Sequence, residues 1–162
     1  MKDKILVFII TYKASFRVLD VVKKIPFNYF KKKKFKILIS DDYSNDDTIG
    51  YIKKIKKKYK SKIFLNFNKI NQGYGGNIKK CLKFAYKNNF NYAVMIHGDN
   101  QYDPKYLAVM VKELIKNKNI VATVGSRMVK KSNALKGNMP MYKFIGNIFL
   151  TKLFNLLYNT KF

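Results

Sequence analysis

Five short runs of almost uninterrupted apolar residues, rich in β-branched and aromatic side chains, recur along this chain. Each is separated from the next by a helical hydrophobic pattern. The runs are Ile5–Ile10, Phe35–Ile39, Ile63–Leu65, Tyr92–Ile96 and Ile120–Val124. A strand with one face in water alternates apolar and polar residues, so a run that is apolar at successive positions reads as a strand covered on both faces. The intervening segments place apolar residues three and four apart. They are Phe16–Lys24 with Val18, Leu19, Val21 and Val22; Thr48–Tyr59 with Ile49, Ile52 and Ile55; Asn77–Lys87; and Lys105–Lys116 with Leu107, Val111, Leu114 and Ile115. Repeated strand–helix units predict an α/β fold with a mainly parallel, twisted sheet, helices on both faces and right-handed crossovers. With 162 residues, no internal repeat and no Gly/Ser/Pro-rich linker, residues 1–162 read as a single domain.

The charge balance narrows the function classes. The chain carries 34 Lys+Arg against 9 Asp+Glu, a formal charge of +25 that suits an anionic membrane face or a nucleic acid. The basic residues are spread along the whole chain, however, and all but Arg17 and Arg127 are lysine. Reading bases or gripping phosphates by planar forks calls for arginine, so no specific nucleic acid is expected as a partner. A single cysteine, Cys81, rules out an internal disulfide framework and agrees with a reducing cytosol. It falls in Ile78, Cys81, Leu82, Ala85 spacing on a helix, the place of a buried core thiol. The first apolar run is too short for a signal sequence and lacks a small-residue cleavage site. No run reaches the ~18 apolar residues that cross a bilayer. The expectation is a cytoplasmic chain, peripheral on the inner face of the cell membrane at most.

Against this basic background, six of the acids crowd into two loops, each directly after a strand-like run. Asp41, Asp42, Asp46 and Asp47 follow Phe35–Ser40, and Asp99 and Asp103 follow Tyr92–His97. In open parallel sheets, ligands bind beyond the carboxyl ends of the strands, where helix N-termini point inward. Capping of the next helix accounts for Ser44 to Thr48. It leaves Asp41 and Asp42 unexplained, because they precede the cap and repel each other, and Asp42 is read as holding a ligand. Asp103 before Pro104 is an N-cap with proline at the first helical position. Asp99 lies four residues earlier, and Gly98 allows close backbone approach. His97 has two readings, a hydrogen-bonded strand-end histidine or a partner of Asp99 around a divalent ion. A third segment, Asn71-Gln72-Gly73-Tyr74-Gly75-Gly76-Asn77, opens a helix with three glycines in four positions, which suits a tight turn or a close ligand.

In this order the motifs are specific. The chain resembles the family 2 glycosyltransferases, whose nucleotide-sugar domain has a Rossmann-like A fold, and is similar among them to the polyprenyl-phosphate and dolichyl-phosphate sugar transferases. The resemblance runs through Thr11-Tyr12, Asp41-Asp42-Tyr43-Ser44, Asn71-x-Gly73-x-Gly75-Gly76, Gly98-Asp99-x-Gln101-Tyr102-x-Pro104 and Gly125-Ser126-Arg127. It implies a UDP- or GDP-sugar donor held by Thr11, Tyr12, Ser40, Asp42, Gly73, Gly98 and Asp99, with Tyr12 near the base and Asp42 receiving base N–H groups. It implies Mg²⁺ or Mn²⁺ at the acid-x-acid element, which falls on His97-Gly98-Asp99. Gln101 would sit beside the sugar and Arg127 near the diphosphate or acceptor phosphate, making Asp99, Gln101 and Arg127 the catalytic set. Three departures stand out: Ile10 replaces the usual proline, Lys13-Ala14 the usual Asn-Glu, and His97 the first acid of the metal element.

These parts imply sugar transfer with inversion, the metal and Arg127 stabilising the leaving nucleoside diphosphate. A polyprenyl phosphate acceptor is already anionic and needs no base; a hydroxyl acceptor would need one, and none is evident. In the family that base lies beyond Phe162, so the chain reads as the donor half, with the acceptor side cut off. The final segment, Met139 through Phe162, is either a packed terminal helix or an amphipathic helix in the membrane interface. The competing function is a noncatalytic basic fragment that binds anionic membrane or nucleic acid through its lysines.

Overall fold

The computed structural model describes residues 3–31, 33–126 and 139–160. The chain divides into two compact units, Met1–Thr123 and Val124–Phe162. In the first, β1 (Lys4–Thr11), β2 (Lys34–Asp41), β3 (Ile63–Phe67) and β4 (Tyr92–His97) form one sheet in the order β3-β2-β1-β4. Every neighbouring pair is parallel. Helices α1 (Arg17–Lys24), α2 (Phe27–Phe30), α3 (Thr48–Tyr59), α4 (Gly73–Lys87) and α5 (Leu107–Lys116) connect or follow the strands. The expected α/β architecture is the one observed.

The placement of helices follows from crossover handedness. From β1 to β2 to β3 the chain steps one way across the sheet, and right-handed connections keep α1 and α3 on one face. From β3 it steps back past β1 to β4, so α4 lies on the opposite face. Residue alternation along β1 matches this two-sided burial. Ile5, Val7 and Ile9 pack with Val18 and Val21 of α1, Ile52 and Ile55 of α3, and Leu107 and Val111 of α5. Leu6, Phe8 and Ile10 join Leu38 beneath Cys81 and Ala85 of α4. Burying each of these larger side chains contributes about 1.5–3 kcal/mol, and this is why Ile5–Ile10 reads as continuously apolar.

Three boundaries differ from the sequence expectation. Ile120–Val124 forms no strand; Val121 is 95% and Val124 87% exposed. A strand exists only where a neighbour completes its hydrogen-bond ladder, and no strand pairs with this segment among the described residues, whatever its β propensity. Helix α4 begins at Gly73 rather than Asn77, with an Asx turn from the Asn71 side chain to the Gly73 N–H at 2.8 Å leading into it. The four-residue α2 has no spacing signal at all. It follows Pro26 and is anchored by Phe30, which stacks on Phe35 at 4.3 Å between ring centres.

The second unit contains α6 (Met141–Tyr158), preceded by Pro140 and ended by Asn159 in the left-handed conformation. None of its residues is buried. Among the described residues no helix is long and apolar enough to cross a membrane.

Candidate functional site

Strand register brings the sequence-distant acids to one edge. Thr11 stands opposite Asp41, Ile10 opposite His97, and Asp41 opposite Phe67. The chain changes direction across the sheet between β1 and β4, and at such a switch point the loops diverge and leave a crevice. A cleft of about 390 Å³ lies there. Thr11 and Tyr12 line it after β1, Asp42 after β2, Gly73 and Tyr74 at the start of α4, and His97, Gly98 and Asp99 after β4.

Asp41 and Asp42 divide their labour. Asp41, fully buried, accepts hydrogen bonds from Thr11 Oγ1 at 2.9 Å, Ser44 N at 2.8 Å and Ser44 Oγ at 2.7 Å. It folds the β2–α3 loop back onto β1. Ser44 Oγ in turn accepts from Lys13 N at 2.9 Å, and Thr48 Oγ1 accepts from Ser15 N at 2.8 Å, so the loops after β1 and β2 are tied together. Asp42 is 4% exposed and lines the cleft. Its Oδ1 accepts from Asn68 Nδ2 and from Gln72 N, both at 2.8 Å.

Asn68 belongs to a polar network that sequence reasoning missed. Its Oδ1 accepts from Lys80 Nζ at 2.8 Å and Asn66 Nδ2 at 3.1 Å, which fixes its amide with the Nδ2 toward Asp42. Beneath it, Ser40 Oγ donates to Asn77 Oδ1 at 2.5 Å and accepts from Asn66 Nδ2 at 2.9 Å. Asn77 Nδ2 donates back to Ser40 O at 3.1 Å. Every buried side-chain polar atom among the described residues has a partner, the condition under which such a network rigidifies a site.

The end of β4 is shaped by contact. A Cβ on Gly98 would overlap Cγ2 of Thr11 and lie 3.1 Å from Ile10 O, so only glycine lets β4 close against β1 here. Asp99 Oδ1 accepts from Gln101 N at 3.0 Å, which holds the carboxylate in a tight turn. His97 stands between two tyrosines: Tyr74 OH lies 3.3 Å from Nε2, and the Tyr102 ring meets it edge-on at 5.0 Å. Asp103 caps the next turn by accepting from Lys105 N at 3.0 Å, and that hydrogen bond holds its carboxyl below the usual range.

Backbone strain gathers at the same edge. Among the described residues, seven non-glycine residues have positive φ. Asn89 and Asn159 sit at helix C-termini, where a positive φ is ordinary, while Lys60 after α3, with φ 36° and ψ −107°, is an outlier away from this edge. Lys13, Ser15, Tyr43 and Asn100 all lie in the loops at the carboxyl ends of the strands, and Gly73 joins them with φ +69°. Strained backbone concentrates where a ligand site must be pre-formed.

Of the residues singled out from sequence, Thr11, Tyr12, Asp42, Gly73, His97, Gly98 and Asp99 share the cleft. Thr11 spends its hydroxyl on Asp41. Ser40 lies outside the cleft lining and faces a separate cavity of about 290 Å³ beside Cys81 and Phe84. Gln101 contributes its backbone N–H to Asp99. Arg127 lies outside the described residues.

Comparison with known proteins bears on the fold and the family. Two Methanocaldococcus jannaschii proteins are similar in sequence: uncharacterized protein MJ0544, 32% identical over 77% of this chain and 53% of its own length, and uncharacterized protein MJ1222, 30% identical over 90% and 55%. The chain thus spans about half the length of the curated relatives it matches. Among solved structures, the mannosyltransferase PcManGT from Pyrobaculum calidifontis, in complex with GDP-Man and Mn²⁺, matches with TM-score 0.55 and 16% identity over 70% of this chain and 33% of that one. S. aureus TarS 1-349 in complex with UDP-GlcNAc matches with TM-score 0.55 and 19% identity over 78% and 38%. Residues 6–161, which take in both acidic strand ends, match the family model for glycosyl transferase family 2, and the chain belongs to that family.

Proposed function

We propose that this chain is the donor-binding part of a metal-dependent glycosyltransferase, which moves a hexosyl group from a UDP- or GDP-sugar to an acceptor with inversion. The observation that carries the reading is that Asp42 and Asp99, 57 positions apart in sequence, line one cleft at the switch point between β1 and β4. Tyr12 and Asp42 are proposed to receive the base and Asp99 the diphosphate, all three in the lining of that cleft. PcManGT and TarS, each with a nucleotide sugar bound, share the fold and support this assignment.

The residues present fit a divalent ion of one kind. Among the described residues no three His, Cys, Asp or Glu side chains converge as a self-sufficient cage. Asp99 offers a single carboxylate pinned by Gln101 N. One carboxylate completed by substrate phosphate oxygens is how Mg²⁺ and often Mn²⁺ are held in nucleotide enzymes. Bound there, the ion would neutralise charge on the leaving nucleoside diphosphate. Arg127 is proposed to share that task, and Gln101 to sit beside the sugar. A polyprenyl phosphate on an anionic membrane face is the proposed acceptor: its oxygen is a nucleophile without a general base, and the +25 charge favours that surface.

Calorimetric titration of the chain with nucleoside diphosphates and their sugars, with and without Mn²⁺, tests the reading. Metal-dependent binding that Asp99→Ala and Asp42→Ala each abolish is the expected result. Binding of polyanions alone, steeply salt-dependent and indifferent to both acids, would support the noncatalytic alternative.

A further inference from the structure

Strand β3 ends the sheet on one side and leaves backbone groups open there. In a parallel ladder, successive residues of a strand turn their N–H and C=O to opposite sides. Asn68 N donates to Asp41 O at 2.9 Å, so the even-numbered residues of this segment face β2, and Ile63, Leu65 and Phe67 face away from it. Ile63 O accepts from Lys56 Nζ at 2.6 Å. The N–H and C=O of Leu65 and Phe67 have no hydrogen-bond partner among the described residues. Ile63–Phe67 also carries no charge and no proline, the residues that commonly guard an edge against pairing.

On the α4 side of that edge lies the cavity of about 290 Å³. Leu38, Cys81 and Phe84 give it apolar walls, and Lys80, Lys83 and Lys87, three and four residues apart along one face of α4, rim it. No acid is among its lining residues, and neither Lys83 nor Lys87 has an ion-pair partner among the described residues. Its size falls at the lower limit of about 300 Å³ for small-molecule pockets and suits one apolar side chain. Strand addition uses such parts together: edge backbone supplies affinity, and a neighbouring pocket reads every second side chain. We propose that the β3 edge accepts an extended acidic segment of a partner protein as an added strand, with one apolar side chain entering the cavity and carboxylates on either side of it meeting Lys83 and Lys87. A second copy of this chain is a poor occupant. Antiparallel pairing of β3 with its own copy keeps both α4 helices on one face, where their lysine rims repel. The cavity shares no lining residue with the cleft, so strand addition stands apart from donor binding.

The test is fluorescence anisotropy and amide hydrogen exchange on the full chain with a capped peptide of about seven residues. It carries a central leucine, valine on each side of it and glutamate next beyond, and is compared with the same peptide bearing lysine for glutamate. The acidic peptide is expected to bind saturably with a dissociation constant below about 1 mM, at least about fivefold more tightly than the lysine peptide, and to slow exchange at the N–H groups of Leu65 and Phe67. N-methylation of one alternate set of peptide amides is expected to weaken binding at least about fivefold and of the other set hardly at all, since only one set faces the edge. Lys83→Glu with Lys87→Glu, both exposed, is expected to remove the preference for glutamate. Absence of saturable binding by the acidic peptide overturns the proposal. So does binding with unchanged exchange at Leu65 and Phe67, with equal loss from the two methylated sets, or with the glutamate preference intact in the double variant. A peptide-free dimer in which those two amides are already protected overturns it in favour of a second copy.

Discussion

The hydroxyl of Tyr74 lies 3.3 Å from Nε2 of His97, so one imidazole nitrogen is engaged across the cleft before any ligand arrives. Asp99 then offers its carboxylate to a cation with no group of three His, Cys, Asp or Glu side chains around it among the described residues. Mn²⁺ alone is expected to leave the melting temperature unchanged. Mn²⁺ together with a saturating nucleoside diphosphate, at about 100 times its dissociation constant, adds about 2.7 kcal/mol, or about 5–10 °C for a chain of this size. Thermal unfolding in the four combinations checks this, and a rise with metal alone would contradict it.

Asp41→Ala is expected to damage the fold rather than the ligand site. Its carboxylate accepts three hydrogen bonds in a fully buried position, and truncation leaves Thr11 and Ser44 donors without partners. The loss is about 2–4 kcal/mol in urea unfolding. Asp42→Asn keeps the shape of the loop, so its larger effect appears in nucleotide affinity, measured by titration of the folded variant.

Gly98→Ala should couple the two kinds of damage. The added methyl overlaps Thr11 Cγ2 and crowds Ile10 O, and relief requires β4 to move away from β1 just where Asp99 follows. Overpacking of this kind costs about 1–3 kcal/mol. Urea unfolding gives the stability loss, and Mn²⁺-dependent nucleotide binding should weaken at least tenfold in the same protein.

How much of this was legible in sequence depended on whether the signal was local. Ile5–Ile10 announces a strand buried on both faces because every position needs an apolar residue. Asp42 and Asp99 stood out because acids are scarce in this chain. Ile120–Val124 carries the same strand composition without a pairing partner, and composition cannot report a partner. Apart from Ser40, the network of Asn66, Asn68 and Asn77 left no trace, since the bonds that tie it to Ser40 and Asp42 span 26 and 37 positions and asparagine is an ordinary surface residue. The helical start of α4 was hidden by glycines that disfavour helix, with an Asx turn from the Asn71 side chain to the Gly73 N–H leading into it.

Cys81 is expected to be a poor nucleophile. It is buried under β1 and β2, and desolvation pushes its thiol up to about 11, with the Ser40 hydrogen bond pulling slightly the other way. A thiol raised above its unfolded value of 9.0 favours the folded state fully below pH 9, and that contribution is lost as pH rises toward 11. Alkylation of the native chain at pH 8 should be far slower than in denaturant, and stability should decline between pH 9 and 11. Rapid native labelling at pH 8 would refute the placement.

Helix α6 supplies the last test, because its surface does not resemble that of an ordinary exposed helix. Lys143, Asn147, Thr151 and Asn155 recur every four residues and form one narrow polar stripe. Around the rest of the helix Phe149, Leu150, Leu156 and Leu157 are exposed, Leu156 by 79%. Its only charged residues are Lys143 and Lys152, with no acid in the helix. Lys152, nine residues from Lys143 and so about half a turn round the axis, stands among the apolar residues, and a mostly apolar exposed helix with two lysines and no acid suits the headgroup boundary of an anionic membrane. The chain is therefore expected to float with vesicles containing phosphatidylserine. Raising salt should weaken the association without abolishing it, since the lysine part is screened and the apolar part is not. Phe149→Glu with Leu153→Glu should release the chain from vesicles and leave nucleotide affinity unchanged, because neither residue lines the cleft. If the double variant floats as well as the parent, the apolar arc is not what meets the membrane.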